Sequence, residues 1–198
     1  MVPLLSMRQL TGSAQHVMTS AEENAVSGQA GAVSTGHVLL AMLREQECVA
    51  AKALASLGIT AEAARQQLDA MSMPTEDGPS SYGISRRITC TRMTMGTLSN
   101  ARLQWPKTGH ADEDQARTAE GYPYMCTGEI LLAMISVYPG AVIGTDAAAA
   151  AQVLVGLGFD LSGAYEHVLD IVRRSPADEA TGGTKPAARS EETGHPDP

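Results

Sequence analysis

The chain has 198 residues, with 14 Lys and Arg against 22 Asp and Glu, giving a formal net charge of −8. That length fills one hydrophobic core but not a core domain plus a large catalytic module, and the negative charge repels phosphate backbones, which excludes nucleic acid as an expected partner. One Trp, one Phe and five Tyr leave the core to Ala, Leu, Val, Ile and Met, residues that suit close-packed helices, so an all-α fold is expected.

The N-terminal MVPLLSMRQL lacks the basic and long apolar regions of a signal peptide, and no apolar run is long enough to span a membrane, so a soluble, cytoplasmic protein is expected. From Thr11 onward, Ala14, Val17, Met18, Ala21, Ala25 and Val26 recur at helical spacing, which predicts an amphipathic helix over 11–26 capped by Thr11 and ended by a Gly/Ala/Ser loop at 28–34. Thr35 opens a second helix, 35–45, as its capping residue, with Arg44 suited to the negative end of the helix dipole. An Ala-rich third helix from Val49 ends at Gly58, and Thr60 caps a fourth over 61–71. Pro74, Gly78, Pro79, Ser80, Ser81 and Gly83 then crowd into a linker, 72–87.

The same pattern returns after the linker. Thr127-Gly-Glu-Ile-Leu-Leu-Ala-Met-Ile copies Thr35-Gly-His-Val-Leu-Leu-Ala-Met-Leu, and the run 150–160, AAQVLVGLGFD, answers 50–60, AAKALASLGIT. A first helix at 91–104 and a last at 161–174, with Ala164, Val168, Leu169 and Val172 as its buried stripe, complete a second set of four. The expected architecture is therefore an eight-helix bundle of two pseudo-symmetric four-helix repeats over residues 1–174: repeat one at about 7–71 and repeat two at about 88–174. The second copy carries longer connections at 105–124 and 136–146, and 175–198, rich in Pro, Gly, Thr, Ser and charge, reads as a disordered tail.

These paired motifs resemble the Clp N-terminal domain repeat, over roughly residues 7–174. The resemblance implies an eight-helix bundle that receives clients and adaptors for an AAA+ unfoldase. The chain itself contains no G-x-x-x-x-G-K-[ST] phosphate loop, so no ATP site is legible and no cofactor is expected. In the Clp C branch a Thr-Glu-His at the start of each second helix supplies a glutamate that, by resemblance, holds the guanidinium of phosphoarginine through paired hydrogen bonds. Gly36 and Gly128 stand in those two positions here. Glu129 is one residue further on, rotated by about 100° around the helix axis. Thr11, Thr91 and Ile88 keep the family pattern. Where the family often carries aromatic and basic residues on a groove used by cyclic-peptide antibiotics, this chain offers Met7, Leu10, Cys90 and Met95, whose flexible, polarisable side chains suit varied apolar ligands or ordinary core filling.

The expected function is accordingly non-enzymatic. It is a peptide- or protein-binding module, an adaptor or decoy, whose partners would be protein or peptide clients, Clp unfoldase or protease subunits, or a cyclic-peptide natural product. A ligand set of Met7, Leu10, Thr11, Gly36, Cys90, Thr91, Met95, Gly128 and Glu129 follows. The alternatives are a small thiol-dependent hydrolase using Cys90 or Cys126, and a degenerate relic. Cys48, Cys90 and Cys126 form no C-x-x-C pair, and none of His16, His37, His110, His167 and His195 lies in a signature around a cysteine. His37, among apolar residues early in a helix, is expected to be satisfied locally. Asp112-Glu-Asp lacks the alternation and glycine turn of a calcium loop, so no metal site is expected.

Overall fold

A computed structural model describes residues 9–71, 90, 92–109, 124–136 and 149–175. The helices are α1 (Gly12–Ser27), α2 (Thr35–Arg44), α3 (Val49–Ser56), α4 (Ala61–Ala70), α5 (Arg92–Ala101), α6 (Trp105–Thr108), α7 (Thr127–Ile135), α8 (Ala149–Gly156) and α9 (Leu161–Arg174). A 3-10 turn, Arg102–Gln104, joins α5 to α6. The protein is thus an all-α bundle, and the short α6 is an addition to the expected pattern.

Local chemistry sets most of the helix starts. Thr11, Thr60 and Asp160 accept hydrogen bonds from the backbone N–H groups of Ala14, Ala63 and Gly163 at 3.3, 3.2 and 2.7 Å, each satisfying a donor that the first turn leaves without an intrahelical partner. The cap of α2 is Ser34, not Thr35, and α7 is preceded by Cys126, not capped by Thr127. Thr35 and Thr127 are instead the first helical residues, and both are buried. The Thr127 hydroxyl accepts from the Ala50 N–H of α3 at 3.3 Å, tying together two helices far apart in sequence.

Helix ends follow a common rule. Gly58 and Gly158, with φ of 76° and 87°, occupy the left-handed position after α3 and α8. Ile59 N–H then reaches Leu54 O at 3.0 Å, and Phe159 N–H reaches Leu154 O at 2.9 Å. These are Schellman closures, in which glycine avoids a Cβ clash. The same closure ends α1, where Ala30 N–H bonds Ala25 O at 2.8 Å, but there Gln29 takes the left-handed position with φ of 55°.

The helices α1–α4 and α5–α9 pack against one another in a repeated pattern. α1 lies on α2 and α5 on α7; α3 packs on α9 while α4 packs on α8; α2 also meets α8 while α7 meets α3. Two isolated parallel bridges repeat the exchange: Leu10, ahead of α1, pairs with Met125, ahead of α7, and Cys90, ahead of α5, pairs with Val33, ahead of α2. The first bridge is held by Thr11 N–H to Met125 O and Met125 N–H to Gln9 O, at 3.0 and 2.9 Å. All nine residues of α7 are buried, so this helix is the axis of the bundle, and each of its large apolar side chains contributes about 1.5–3 kcal/mol of transfer free energy.

The expected linker at 72–87, the tail from 176 onward, and most of both longer connections of repeat two lie outside the described residues. Only Trp105–Thr108 of the first of these connections is seen as helix, followed by Gly109 in the left-handed conformation.

Candidate functional site

Two glycines hold the seam between the halves. A Cβ on Gly36, in the first turn of α2, would lie 2.9 Å from Leu68 Cδ2 of α4 and 3.5 Å from Ala149 Cβ of α8. A Cβ on Gly128, in the first turn of α7, would lie 2.4 Å from Val172 Cγ2 of α9 and 3.2 Å from Val49 Cγ1 of α3. The two positions are equivalent: each glycine lets a neighbouring pair of helices, one from each half, approach the backbone closely. Where the resemblance places two guanidinium-reading carboxylates, the structure has close helix–helix contacts, tighter at Gly128 than at Gly36.

Glu129 is fully buried. Its carboxylate accepts from the Cys126 N–H at 2.7 Å and from the Thr108 hydroxyl at 3.2 Å, closing the first turn of α7 as a capping-box acid does. His37 occupies the matching place in α2. Its Nδ1 accepts from Ser34 N–H at 3.1 Å, while Ser34 Oγ accepts from His37 N–H at 3.3 Å. An imidazole here takes the part that Glu or Gln plays elsewhere, in keeping with a locally satisfied histidine.

The remaining site residues are also interior. Leu10, Thr11, Cys90 and Met95 are buried, with Met95 the most exposed of them at 9%. Met7 and Thr91 lie outside the described residues. The structure therefore puts Leu10 and Cys90 in the two bridges, Thr11 at the cap of α1, Met95 on α5, and Gly36, Gly128 and Glu129 at the first turns of α2 and α7, but presents none of these seven as open surface. Cys48, Cys90 and Cys126 are buried and not joined by disulfides. Among the described residues no group of three or more His, Cys, Asp or Glu is placed to hold a metal ion, and no helix is long and apolar enough to cross a membrane.

Three features had no signal in the sequence. Ser56, at the end of α3, lies 2.7 Å from His167 Nε2 on α9. Because the Ser56 hydroxyl donates to Ala53 O at 2.7 Å, the ring N–H donates to it. The pair sits at the C-terminal end of α3 and bridges α3 to α9. Tyr165 of α9 donates to Gln104 Oε1 at 2.7 Å and accepts from Lys107 Nζ at 3.0 Å, fastening α6 to α9. The third is a cavity of about 240 Å³ between the C-terminal end of α7 and the first turns of α9.

Comparison with known proteins bears on this arrangement directly. The family model described as "Clp repeat (R) N-terminal domain" matches residues 9–111, more than half of the chain. The chain belongs to this family. It is 29% identical over 164 residues to the chaperone protein ClpB of Oceanobacillus iheyensis, covering 83% of this chain and 17% of that one. It is 26% identical over 182 residues to the negative regulator of genetic competence ClpC/MecB of Bacillus subtilis, covering 92% of this chain and 19% of that one. The chain thus spans less than a fifth of the length of these curated relatives. In fold it is similar to the N-terminal domain of the caseinolytic protease associated chaperone ClpD from Arabidopsis thaliana, with a TM-score of 0.57 at 17% identity over 84% of this chain and 96% of that one. The repeated packing of the bundle is consistent with the tandem Clp-repeat architecture, and membership of the family is consistent with protein binding.

Proposed function

We infer that this chain is a non-catalytic module that binds peptides or proteins, related to the client- and adaptor-receiving domain of Clp unfoldases. The observation that carries this reading is the family match over 9–111 in a sequence that keeps both copies of the repeat motif and holds no phosphate loop. The bundle is taken as two pseudo-symmetric four-helix repeats, α1–α4 and α5–α9 with α6 as an extension, joined by the linker at 72–87 and followed by the tail at 175–198. The reciprocal α3–α9 and α4–α8 contacts and the paired bridges support that division.

In this reading the module acts as an adaptor that brings clients to a Clp machine, or as a decoy that competes with the machine's own receiving domain. Phosphoarginine recognition through carboxylates at positions 36 and 128 is excluded from the reading, because those sites are packing contacts and the nearby Glu129 carboxylate is engaged within the fold. Ligands then contact surface around the bundle, with the buried set Leu10, Thr11, Cys90 and Met95 supporting it from beneath.

Titration calorimetry of the purified chain with phosphoarginine, a phosphoarginine peptide and a hydrophobic cyclic peptide tests this. The expected result is no saturable heat from phosphoarginine. Binding of the cyclic peptide alone favours a ligand-sequestering decoy, whereas saturable phosphoarginine binding overturns the assignment of Gly36 and Gly128 to packing.

A further inference from the structure

The cavity between α7 and α9 is lined by Ile135, Ser136, Leu161, Ser162, Tyr165 and Glu166. At about 240 Å³ it is smaller than the roughly 300–1,000 Å³ typical of cofactor or drug-sized ligand sites, so its natural content is a single side chain. Its lining has two characters. The Leu161 side chain and the Tyr165 ring are partly exposed and offer apolar surface reachable from solvent, with the buried Ile135 beneath them. The serines and the exposed Glu166 form the polar part.

Charge selects among side chains that could enter. Glu166 is the one charged residue in the lining, and it has no hydrogen bond or ion pair among the described residues. The cavity lies against the C-terminal end of α7, which carries the negative pole of that helix and has no basic residue in its last turn. The positive pole at the start of α9 is met by the Asp160 cap. The Tyr165 ring is already met by a cation, Lys107, whose Nζ lies 3.0 Å from the phenol oxygen and 5.2 Å from the ring centroid. An incoming cation is therefore directed to Glu166 and not to the ring. The chain as a whole carries a net charge of −8, which favours approach of basic segments.

The geometry points to the α7–α9 cavity as a docking site for one long basic side chain, lysine or arginine, of an extended client peptide. The methylene stem lies on Leu161 and Tyr165, and the charged head is exposed at Glu166, the division of surface that such amphipathic side chains prefer. In repeat one, Leu43, Arg44, Ala61, Glu62, Arg65 and Gln66 occupy the corresponding positions, and the two arginines there would repel the same head. The inference rests on the peptide-binding reading and assigns it a place and a side-chain class.

The test is a two-dimensional amide NMR titration of the full chain with a short Gly/Ser peptide carrying one central lysine, and with its norleucine and glutamate counterparts. The expected result is saturable shifts at Ser136, Ser162, Tyr165 and Glu166 with the lysine peptide, weaker ones with norleucine and none with glutamate. Glu166→Gln should weaken the lysine peptide by about threefold to tenfold, a modest factor because the carboxylate is exposed and screened. Glu166→Lys should abolish its binding. Both variants alter an exposed side chain, and their amide spectra report directly that they fold. Equal shifts with all three peptides, or undiminished lysine binding by Glu166→Lys, overturns the inference. Shifts confined to another face leave the peptide-binding reading standing and remove the cavity from it, and a spectrum unmoved by every peptide counts against both.

Discussion

Substituting alanine at Gly128 and at Gly36 asks the same question of two equivalent positions and should receive different answers. In a helix, Gly→Ala by itself gains about 1 kcal/mol. At Gly36 the tight neighbour is Leu68 Cδ2 at 2.9 Å, the far end of a flexible side chain, and the next contacts, at 3.5 Å, are ordinary. The gain and the small displacement nearly cancel, so Gly36→Ala should lie within about 0.5 kcal/mol of the parent. At Gly128 the added methyl would sit 2.4 Å from Val172 Cγ2, with Val49 Cγ1 closing the other side at 3.2 Å. Carbon atoms prefer about 3.5–4.0 Å, so more than ~1 Å must be found, and valine has little χ1 freedom to yield it. Overpacking costs about 1–3 kcal/mol, and a shortfall of more than ~1 Å against a stiff side chain belongs in the upper part of that range, about 2–3 kcal/mol, so that against the propensity gain Gly128→Ala is less stable by roughly 1–2 kcal/mol. Urea unfolding followed by circular dichroism would show this as a midpoint lower by about 0.5–1 M, at a slope of about 2 kcal/mol/M. Val172→Ala removes the obstructing methyls, so it should cost less in the Gly128→Ala background than alone, with a coupling of about 1–2 kcal/mol. Equal stability of the two glycine variants, or strictly additive losses in the cycle with Val172, would refute the close-approach explanation of these glycines.

Gln29→Gly should raise stability by about 0.5–1 kcal/mol, because it places the residue type that tolerates a left-handed C′ position where φ is 55°; a loss on thermal unfolding would contradict the Schellman assignment at the end of α1. Glu129→Ala should destabilise by about 1–3 kcal/mol, removing the carboxylate that accepts from the Cys126 N–H while Thr108 keeps its bond to Trp105 O, and Glu129→Gln should recover part of that loss in the same urea assay. His37→Gln should keep the stability of α2 within about 0.5 kcal/mol and His37→Ala should lose about 1 kcal/mol, since glutamine but not alanine can accept from the Ser34 N–H; equal losses would show that the imidazole is not a cap. Iodoacetamide should label Cys48, Cys90 and Cys126 slowly in the native protein and rapidly once urea unfolds it, given their burial, and fast native labelling of Cys90 or Cys126 would reopen a thiol-based chemistry.

What the sequence determined by itself is what lies within a few residues along the chain. Thr11, Thr60 and Asp160 name helix starts, Gly58 and Gly158 name helix ends, and the recurrence of Thr-Gly-x-[VI]-Leu-Leu-Ala-Met announces the repeat, because caps, turns and helical periodicity are satisfied by neighbours one turn away. The last helix was legible residue for residue, 161–174, for the same reason: its cap, its apolar stripe and its terminal arginines are all local. What only the tertiary structure decided is what distant helices do to one another. Thr35 and Thr127 look like caps, yet Ser34 and Cys126 hold those positions, and Thr127 instead serves the Ala50 N–H across the bundle. Gly36 and Gly128 read in sequence as lost carboxylates, whereas in the structure both are close-packed between helices, with α9 and α3 leaving no space for a side chain at Gly128. Burial of Leu10, Cys90, Met95 and Glu129 and the opening of a cavity beside Glu166 are likewise set by how two similar halves meet, a relation that no spacing within either half encodes.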